Sequence, residues 1–229
     1  MFRYLLTYGT GGLKDYIISL LLVLPISLFS LTVHECAHGW VAKKLGDRTA
    51  HNLGRLTLNP AKHLDPIGFI CMILFGYGWA RPVPINTRNF KKPRRDMALS
   101  AAAGPISNLI LAVIFVVFVY ITSLIIDNIS FDSERAFYFA YLFMMFFQMG
   151  ASLNVMLAVF NMLPTPPFDG SRIFYVFLPV KWYFAIMKYE RYISLGIMLL
   201  LFTGVLTTPL VKLSNLVLQL FISFFELIF

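Results

Sequence analysis

Charged residues are scarce in this 229-residue chain, at 13% against about a quarter in ordinary soluble domains. Hydrophobic residues make up 59%, and the mean hydropathy is +0.75. This composition excludes both a soluble globular domain and a disordered chain, because neither keeps so much apolar surface in water. The sequence therefore predicts a protein that crosses a membrane several times.

Cysteines are equally few. Only Cys36 and Cys71 occur, both in apolar runs, so no disulfide framework is indicated and the redox compartment stays open. No internal repeat of the inverted-transporter kind and no low-complexity linker is visible. We therefore expect a single integral-membrane domain over residues 1–229, without a separate soluble module.

Long apolar runs are abundant, and they lie at 16–42, 64–80, 98–126, 137–163, 193–208 and 213–229. The first run is too long for a cleavable signal peptide. The second is short and is interrupted by prolines and glycines. From these runs we predict an all-α polytopic membrane protein with five to six transmembrane or re-entrant helical segments.

Most of the 19 basic residues follow the first, second and fourth runs, whereas the loop after Ile126 is mainly acidic. Basic loops usually face the cytoplasm. A second run that enters the bilayer and returns places all three basic loops on that side, so we favour a re-entrant path. We assign the net charge of +8 to anionic lipid rather than to nucleic acid, and expect a multi-pass protein of the cell membrane.

Two stretches between the runs look extended. Residues 52–59 alternate leucines with polar residues, and Pro82 and Pro84 exclude a helix around Val83. One interpretation is a pair of surface loops. The other, which completes our predicted fold, is a small membrane-associated β-ribbon with an edge blunted by proline.

Two histidines stand four residues apart in His34-Glu35-Cys36-Ala37-His38, near the end of the first run. On a helix these imidazoles lie about 40° apart, so both project from one face and can share a metal ion. Glu35 lies about 100° round the helix, within reach of a metal-bound water rather than of the metal itself. Ionisable groups are costly in a membrane, which favours a functional site over a structural polar cluster.

A catalytic zinc ion usually has three protein ligands and one open position. Asp169 is the strongest candidate for the third ligand, because three prolines at 164, 166 and 167 end the preceding helix and turn the chain. Irregular backbone at membrane depth must be covered by protein, so we expect this loop to fold back towards the histidines. Other candidates stay open in the loop after the first run, namely Asp47, His51, His63 and Asp65.

Two motifs together resemble the site-2 protease family of intramembrane zinc metalloproteases. They are His-Glu-x-x-His at 34–38 and Asn-x-x-Pro-x-Pro-x-x-Asp-Gly at 161–170. Residues 104–108 also resemble the small-residue and Asn element of the family's intervening helix. Residues 56–60 and 82–90 resemble segments of its compact bacterial and archaeal branch. The resemblance covers about residues 30–180, where we place the catalytic core, with C-terminal helices at 191–229.

The resemblance implies that His34, His38 and Asp169 bind one zinc ion per chain and that Glu35 is the general base. It further implies hydrolysis of peptide bonds in or near the transmembrane helices of membrane-anchored proteins, with the active site towards the cytoplasmic side. The oxyanion needs a donor besides the metal, and the amides available are those of Asn161 and Asn108.

The expected partners are the lipid bilayer and a membrane-protein substrate with a transmembrane helix, and no nucleic acid; the oligomeric state is left open. Such a helix must unwind before it is cut, and the predicted ribbon would hold the unwound segment as an added strand. The alternative function is a zinc transporter or metal-sensing membrane protein that uses the same His/Asp cluster. Glu35 favours the protease, because a transporter has little use for a carboxylate beside the metal.

Overall fold

The computed structural model describes residues 11–75, 78–129 and 133–227, and the regular elements in these ranges are all helical. The helices are α1 (Gly11–Lys44), α2 (Thr49–Asn52), α3 (Pro66–Phe75), α4 (Pro93–Asn128), α5 (Glu134–Asn161), α6 (Asp169–Phe174), α7 (Val180–Phe202) and α8 (Thr207–Glu226). Two 3₁₀ turns, Pro60–Lys62 and Thr87–Asn89, lie in the loops before α3 and α4. The all-α prediction is confirmed.

Four helices are long and apolar enough to cross a membrane: α1 from Ile17 onwards, α4, α5 and α8. The run predicted at 193–208 is not a separate span, because it forms the second half of α7 and the helix ends at Phe202. The first half of α7 carries Lys181, Lys188 and Arg191, so α7 is not among the four. The larger number of spans predicted from the apolar runs is thus not confirmed.

The short second run forms a helix that is too short to span a bilayer, and its two ends lie together. Its helix α3 has 10 residues, about 15 Å at about 1.5 Å per residue, which is half the thickness of a bilayer core. Leu64 before α3 and Ala80 after it form an antiparallel bridge, so the two ends of the run meet. This geometry agrees with the predicted re-entrant path; residues 76 and 77 of the run lie outside the described ranges.

The predicted β-ribbon is not confirmed. Residues 52–59 and 82–90 are fully described and contain no strand. Two prolines in the second stretch lack an N–H group, and the amide of Val83 bonds to the carboxylate of Glu35 instead of to a neighbouring strand. A β-ladder along this stretch would therefore lack backbone N–H donors at positions 82, 83 and 84.

Helices α1, α4 and α5 pack around the buried polar residues of the bundle, among them His34. Ile26 of α1, Phe115 of α4 and Ala151 of α5 share one buried apolar cluster, and α8 covers a second cluster through Leu210 against Val155 of α5. Further along, the last turns of α1 contact the first third of α4, so these two helices are antiparallel. The motif of the first run therefore lies where the end of α1, the beginning of α4 and the end of α5 meet.

Candidate metal centre

His34 and His38 lie on one face of α1, as their spacing predicts. Their side chains are buried, with 5% and 7% of the residue surface exposed. The ring planes are nearly perpendicular, and the two Nε2 atoms lie 3.0 Å apart. Both nitrogens thus point to the same place between the helices.

Asp169 reaches this place from a distant part of the sequence. The proline-rich loop at 162–168 ends α5 and turns the chain back, so that α6 begins with Asp169. Its Oδ2 lies 3.0 Å from His34 Nε2 and 3.2 Å from His38 Nε2. Among the described residues, these three form the one group of His, Cys, Asp or Glu side chains able to hold a metal ion.

The other candidates for the third ligand lie elsewhere. The carboxylate of Asp47 accepts hydrogen bonds from the loop before α4, and that of Asp65 accepts one from the first turn of α3. His63 Nε2 bonds to the carbonyl of Thr57, and His51 is exposed. The loop before α6 thus brings Asp169, and none of these four alternatives, to the two histidines.

The three ligand atoms fit a zinc ion. Their triangle has edges of 3.0, 3.0 and 3.2 Å. Zinc bound tetrahedrally by nitrogen and oxygen at about 2.0–2.2 Å gives ligand-to-ligand distances of about 3.3–3.5 Å, close to this triangle. Among the described residues, no fourth His, Cys, Asp or Glu side chain joins the group, and a catalytic zinc site likewise has three protein ligands.

His38 Nδ1 has a backbone partner. It lies 2.8 Å from the carbonyl oxygen of Ser100, which only accepts, so Nδ1 carries a proton. In the neutral imidazole, Nε2 then presents a lone pair towards His34 and Asp169. This is the tautomer that a metal ligand bound through Nε2 requires.

A chain of amides orients His34. Asn108 Oδ1 lies 2.8 Å from His34 Nδ1, and Asn108 Nδ2 lies 3.4 Å from Asn154 Oδ1. Asn154 in turn donates to Ser30 Oγ at 2.9 Å. Such partners fix the tautomer and ring orientation of metal-binding histidines. The chain also ties α1, α4 and α5 to one another.

Ser100 was not identified from the sequence. Its carbonyl accepts from His38 Nδ1, and its hydroxyl donates to the His38 carbonyl at 2.9 Å. Ser100, Gly104 and Asn108 are four residues apart, so they form one stripe along α4. This spacing is the signal that links Ser100 to the histidines, but small residues in such a stripe serve helix packing equally well.

Gly104 makes room for both imidazoles. A Cβ at this position would lie 2.5 Å from Cε1 and Nε2 of His38 and 2.6 Å from Cε1 of His34. Those distances are far inside van der Waals contact. Any larger residue at position 104 would therefore displace the rings or the helix.

Glu35 lies beside the histidines and is half-buried. Its Oε2 accepts a hydrogen bond of 2.7 Å from the backbone amide of Val83. The two amides considered as oxyanion donors are engaged elsewhere, since Asn161 Nδ2 donates to the Leu157 carbonyl and Asn108 Nδ2 faces the other helix. Their contribution to oxyanion stabilisation stays a prediction, and the observed place of Asn108 is behind His34.

Comparison with known proteins agrees with this chemistry. Residues 21–203 match the sequence profile of Peptidase family M50. Three curated proteins provisionally named zinc metalloproteases are similar to the chain. YwhC of Bacillus subtilis (strain 168) is 48% identical over 159 residues, which cover 69% of this chain and 70% of YwhC. MJ0611 of Methanocaldococcus jannaschii is 28% identical over 180 residues, which cover 78% of this chain and 77% of that protein.

Rip2 of Mycolicibacterium smegmatis is 28% identical over 161 residues, which cover 68% of this chain and 57% of Rip2. No solved structure matches the chain. The family match includes both histidines and Asp169 and thus the whole candidate metal centre. The chain therefore belongs to peptidase family M50 and is a zinc metalloprotease.

Proposed function

We propose that this metalloprotease cuts peptide bonds in or near the transmembrane segments of membrane-anchored proteins. The observation that carries the proposal is the position of the three converging side chains. His34 and His38 lie on a candidate spanning helix, and the amide chain behind His34 joins two more such helices. A soluble substrate would not require the metal ligands to lie within the membrane bundle.

In the proposed site, His34, His38 and Asp169 hold the zinc ion. When bound, zinc polarises a carbonyl and lowers the pKa of a coordinated water from about 15.7 towards 7. Glu35 accepts a proton as the water oxygen attacks the carbonyl carbon, and returns it to the amide nitrogen as the C–N bond breaks. Asn108 and Ser100 keep the two imidazoles in the tautomer that presents Nε2.

The active site faces the cytoplasm in our proposal, and the protein resides in the cell membrane. The loops on either side of α3 lie at the same end of the bundle as the metal centre, and both are rich in lysine and arginine. Asp127 at the end of α4 and Glu134 at the beginning of α5 lie at the opposite end of these helices. Substrate helices would unwind near the basic face before cleavage.

The transporter alternative is not favoured. The similar proteins are named metalloproteases, and the carboxylate of Glu35 stands next to the cluster without joining it. Transport of zinc would need a path of several polar sites. The side chain of Glu35 instead has the place of a proton acceptor.

The test measures zinc per purified chain and cleavage by the chain in liposomes. The cleavage substrate is a synthetic single-pass peptide with a fluorophore and a quencher on either side of a glycine-containing transmembrane segment. We expect about one zinc in the wild type and in Glu35→Gln, and a large loss in Asp169→Ala. Cleavage should occur only in the wild type. Full zinc in Asp169→Ala, or cleavage by Glu35→Gln, would refute the assigned roles.

A further inference from the structure

The segment 81–89, here called the strap, passes over Glu35 between α3 and α4. Pro82 and Pro84 hold it extended and leave Val83 as the only residue with an N–H group between positions 82 and 84. That N–H donates to Glu35 Oε2 at 2.7 Å. It is the one hydrogen bond of the Glu35 side chain within the described residues.

The strap is fixed at its beginning by a buried cation. Arg55 Nη2 donates to the carbonyl oxygens of Arg81 and Pro82 at 2.8 and 3.3 Å. Only 9% of the surface of Arg55 is exposed, and no carboxylate of the described residues forms an ion pair with it. Burying a guanidinium is unfavourable unless it is hydrogen-bonded, so its contacts with the strap are the ones that hold it there.

The end of the strap is fixed by a buried anion. Asp47, with 1% of its surface exposed, accepts hydrogen bonds of 2.7 Å from the amide of Asn86 and from Asn89 Nδ2. The carboxylate also accepts from Thr49 next to it in the chain. Both ends of the strap are thus bonded to charges that follow α1 in the sequence.

The middle of the strap rests on α1 one turn beyond Glu35. A Cβ at Gly39 would lie 2.5 Å from Leu56 Cδ2 and 3.0 Å from Val83 Cγ1. The side chain of Val83 is buried, with 7% exposed. This close approach sets the distance between the strap backbone and the carboxylate of Glu35.

We infer that the strap positions Glu35: the amide of Val83 holds one carboxylate oxygen, and Asp47 and Arg55 act through the strap as positioning residues. The inference rests on the proposed role of Glu35 as the general base. An N–H group on Oε2 restricts the torsions of a flexible side chain and leaves Oε1 to accept the proton of the water. Neither Asp47 nor Arg55 needs to touch the substrate or the zinc ion.

Hydrogen exchange tests the contacts without cleavage. In the peptide 82–86 only Val83, Ile85 and Asn86 have an amide, since the other two residues are prolines. We expect Asp47→Ala and Arg55→Gln to accelerate exchange of the Val83 amide at least about 10-fold relative to the wild type. Arg88→Gln, which removes an exposed cation from the strap itself, is the matched control and should leave it unchanged. Unchanged protection of Val83 in both anchor variants would overturn the inference.

Kinetics on the fluorogenic single-pass peptide in liposomes test the consequence. For Asp47→Ala and Arg55→Gln we expect kcat to fall about 10- to 100-fold, since a misplacement of about 1 Å has this effect, with KM and zinc per chain unchanged. Arg55→Lys keeps a cationic donor and should recover part of kcat. Val83→Pro removes the N–H group and should have a kcat at least about 10-fold below that of Val83→Ala, which keeps it.

The outcomes separate this inference from the proposed function. A wild type that binds zinc and cleaves the peptide, with Val83→Pro as active as Val83→Ala, refutes the strap alone. A wild type without zinc or without cleavage refutes the proposed function, and the exchange rates then still decide whether Asp47 and Arg55 hold the strap against Glu35. A rise in KM with unchanged kcat would assign the strap to substrate binding and overturn positioning.

Discussion

Gly104→Ala is the sharpest test of the metal centre, because the added atom meets both histidines. The new Cβ would lie 2.5 Å from two ring atoms of His38 and 2.6 Å from one of His34. Carbon atoms in contact prefer about 3.5–4.0 Å, so the rings or α4 must retreat by about 1 Å. Metal sites keep their distances within about 0.2 Å.

The expected result is a fall in zinc affinity of about 10- to 100-fold, the range found when groups that orient metal ligands are lost. This corresponds to about 1.4–2.7 kcal/mol. Gly196→Ala on α7 is the matched control, since nothing lies within 4 Å of a Cβ there. In an open helical position this change stabilises by about 0.5–1 kcal/mol.

The assay measures zinc per chain by atomic emission over a series of chelator-buffered zinc concentrations. Thermal unfolding of the zinc-loaded protein runs in parallel. Gly104→Ala should lower both zinc affinity and Tm, whereas Gly196→Ala should leave zinc affinity unchanged and raise Tm or leave it constant. Wild-type zinc affinity in Gly104→Ala would refute the view that both rings are held against α4.

Three further predictions concern the surroundings of the centre. Asn108→Ala should weaken zinc binding about 10- to 100-fold because His34 loses its acceptor, while Asn108→Asp keeps an oxygen and most of the affinity; equal losses in a chelator titration would contradict this. Burial raises the pKa of Asp47, but hydrogen bonds from Thr49 and Asn89 outweigh burial, so its pKa lies below the ordinary 3.8. Its stabilising contribution is therefore complete above about pH 4 and is lost as the pH falls through the lowered pKa. The Tm difference between wild type and Asp47→Asn should stay constant from pH 7 to about pH 4 and shrink below that pH, and a difference that grows below pH 4 would contradict the assignment. Removing zinc should lower Tm, since zinc at about 100 times its Kd adds about 2.7 kcal/mol to the free energy of unfolding; an unchanged Tm in calorimetry would argue against a metal between the three side chains.

The convergence of His34, His38 and Asp169 could be predicted because each part has a local cause. The spacing of His34 and His38 fixes their common face on any helix, and the prolines before Asp169 force a turn wherever they occur. The alternatives for the third ligand could not be excluded from the sequence. Whether each of these residues lies near the two histidines depends on tertiary contacts, such as that between Asp47 and the strap.

The β-ribbon prediction was not confirmed because it, too, depended on tertiary contacts. Alternating leucines and prolines indicate extended backbone, but they do not reveal where the amides find acceptors. Here the acceptors are carboxylates more than thirty residues away, on and just after α1. The stripe of Ser100, Gly104 and Asn108 was equally ambiguous, because helix packing and ligand orientation require the same spacing of small and polar residues.

Asp169, the proposed third metal ligand, stands 135 residues after His34 in the chain. During synthesis, a nascent chain that has inserted α1, α4 and α5 still holds only two of the three ligands. Zinc then binds weakly, and no hydrolysis can begin until the turn before α6 has emerged and folded back. The proposed metal centre therefore stays incomplete until three of the four candidate spanning helices have been made, and a chain that ends before Asp169 lacks one of its ligands.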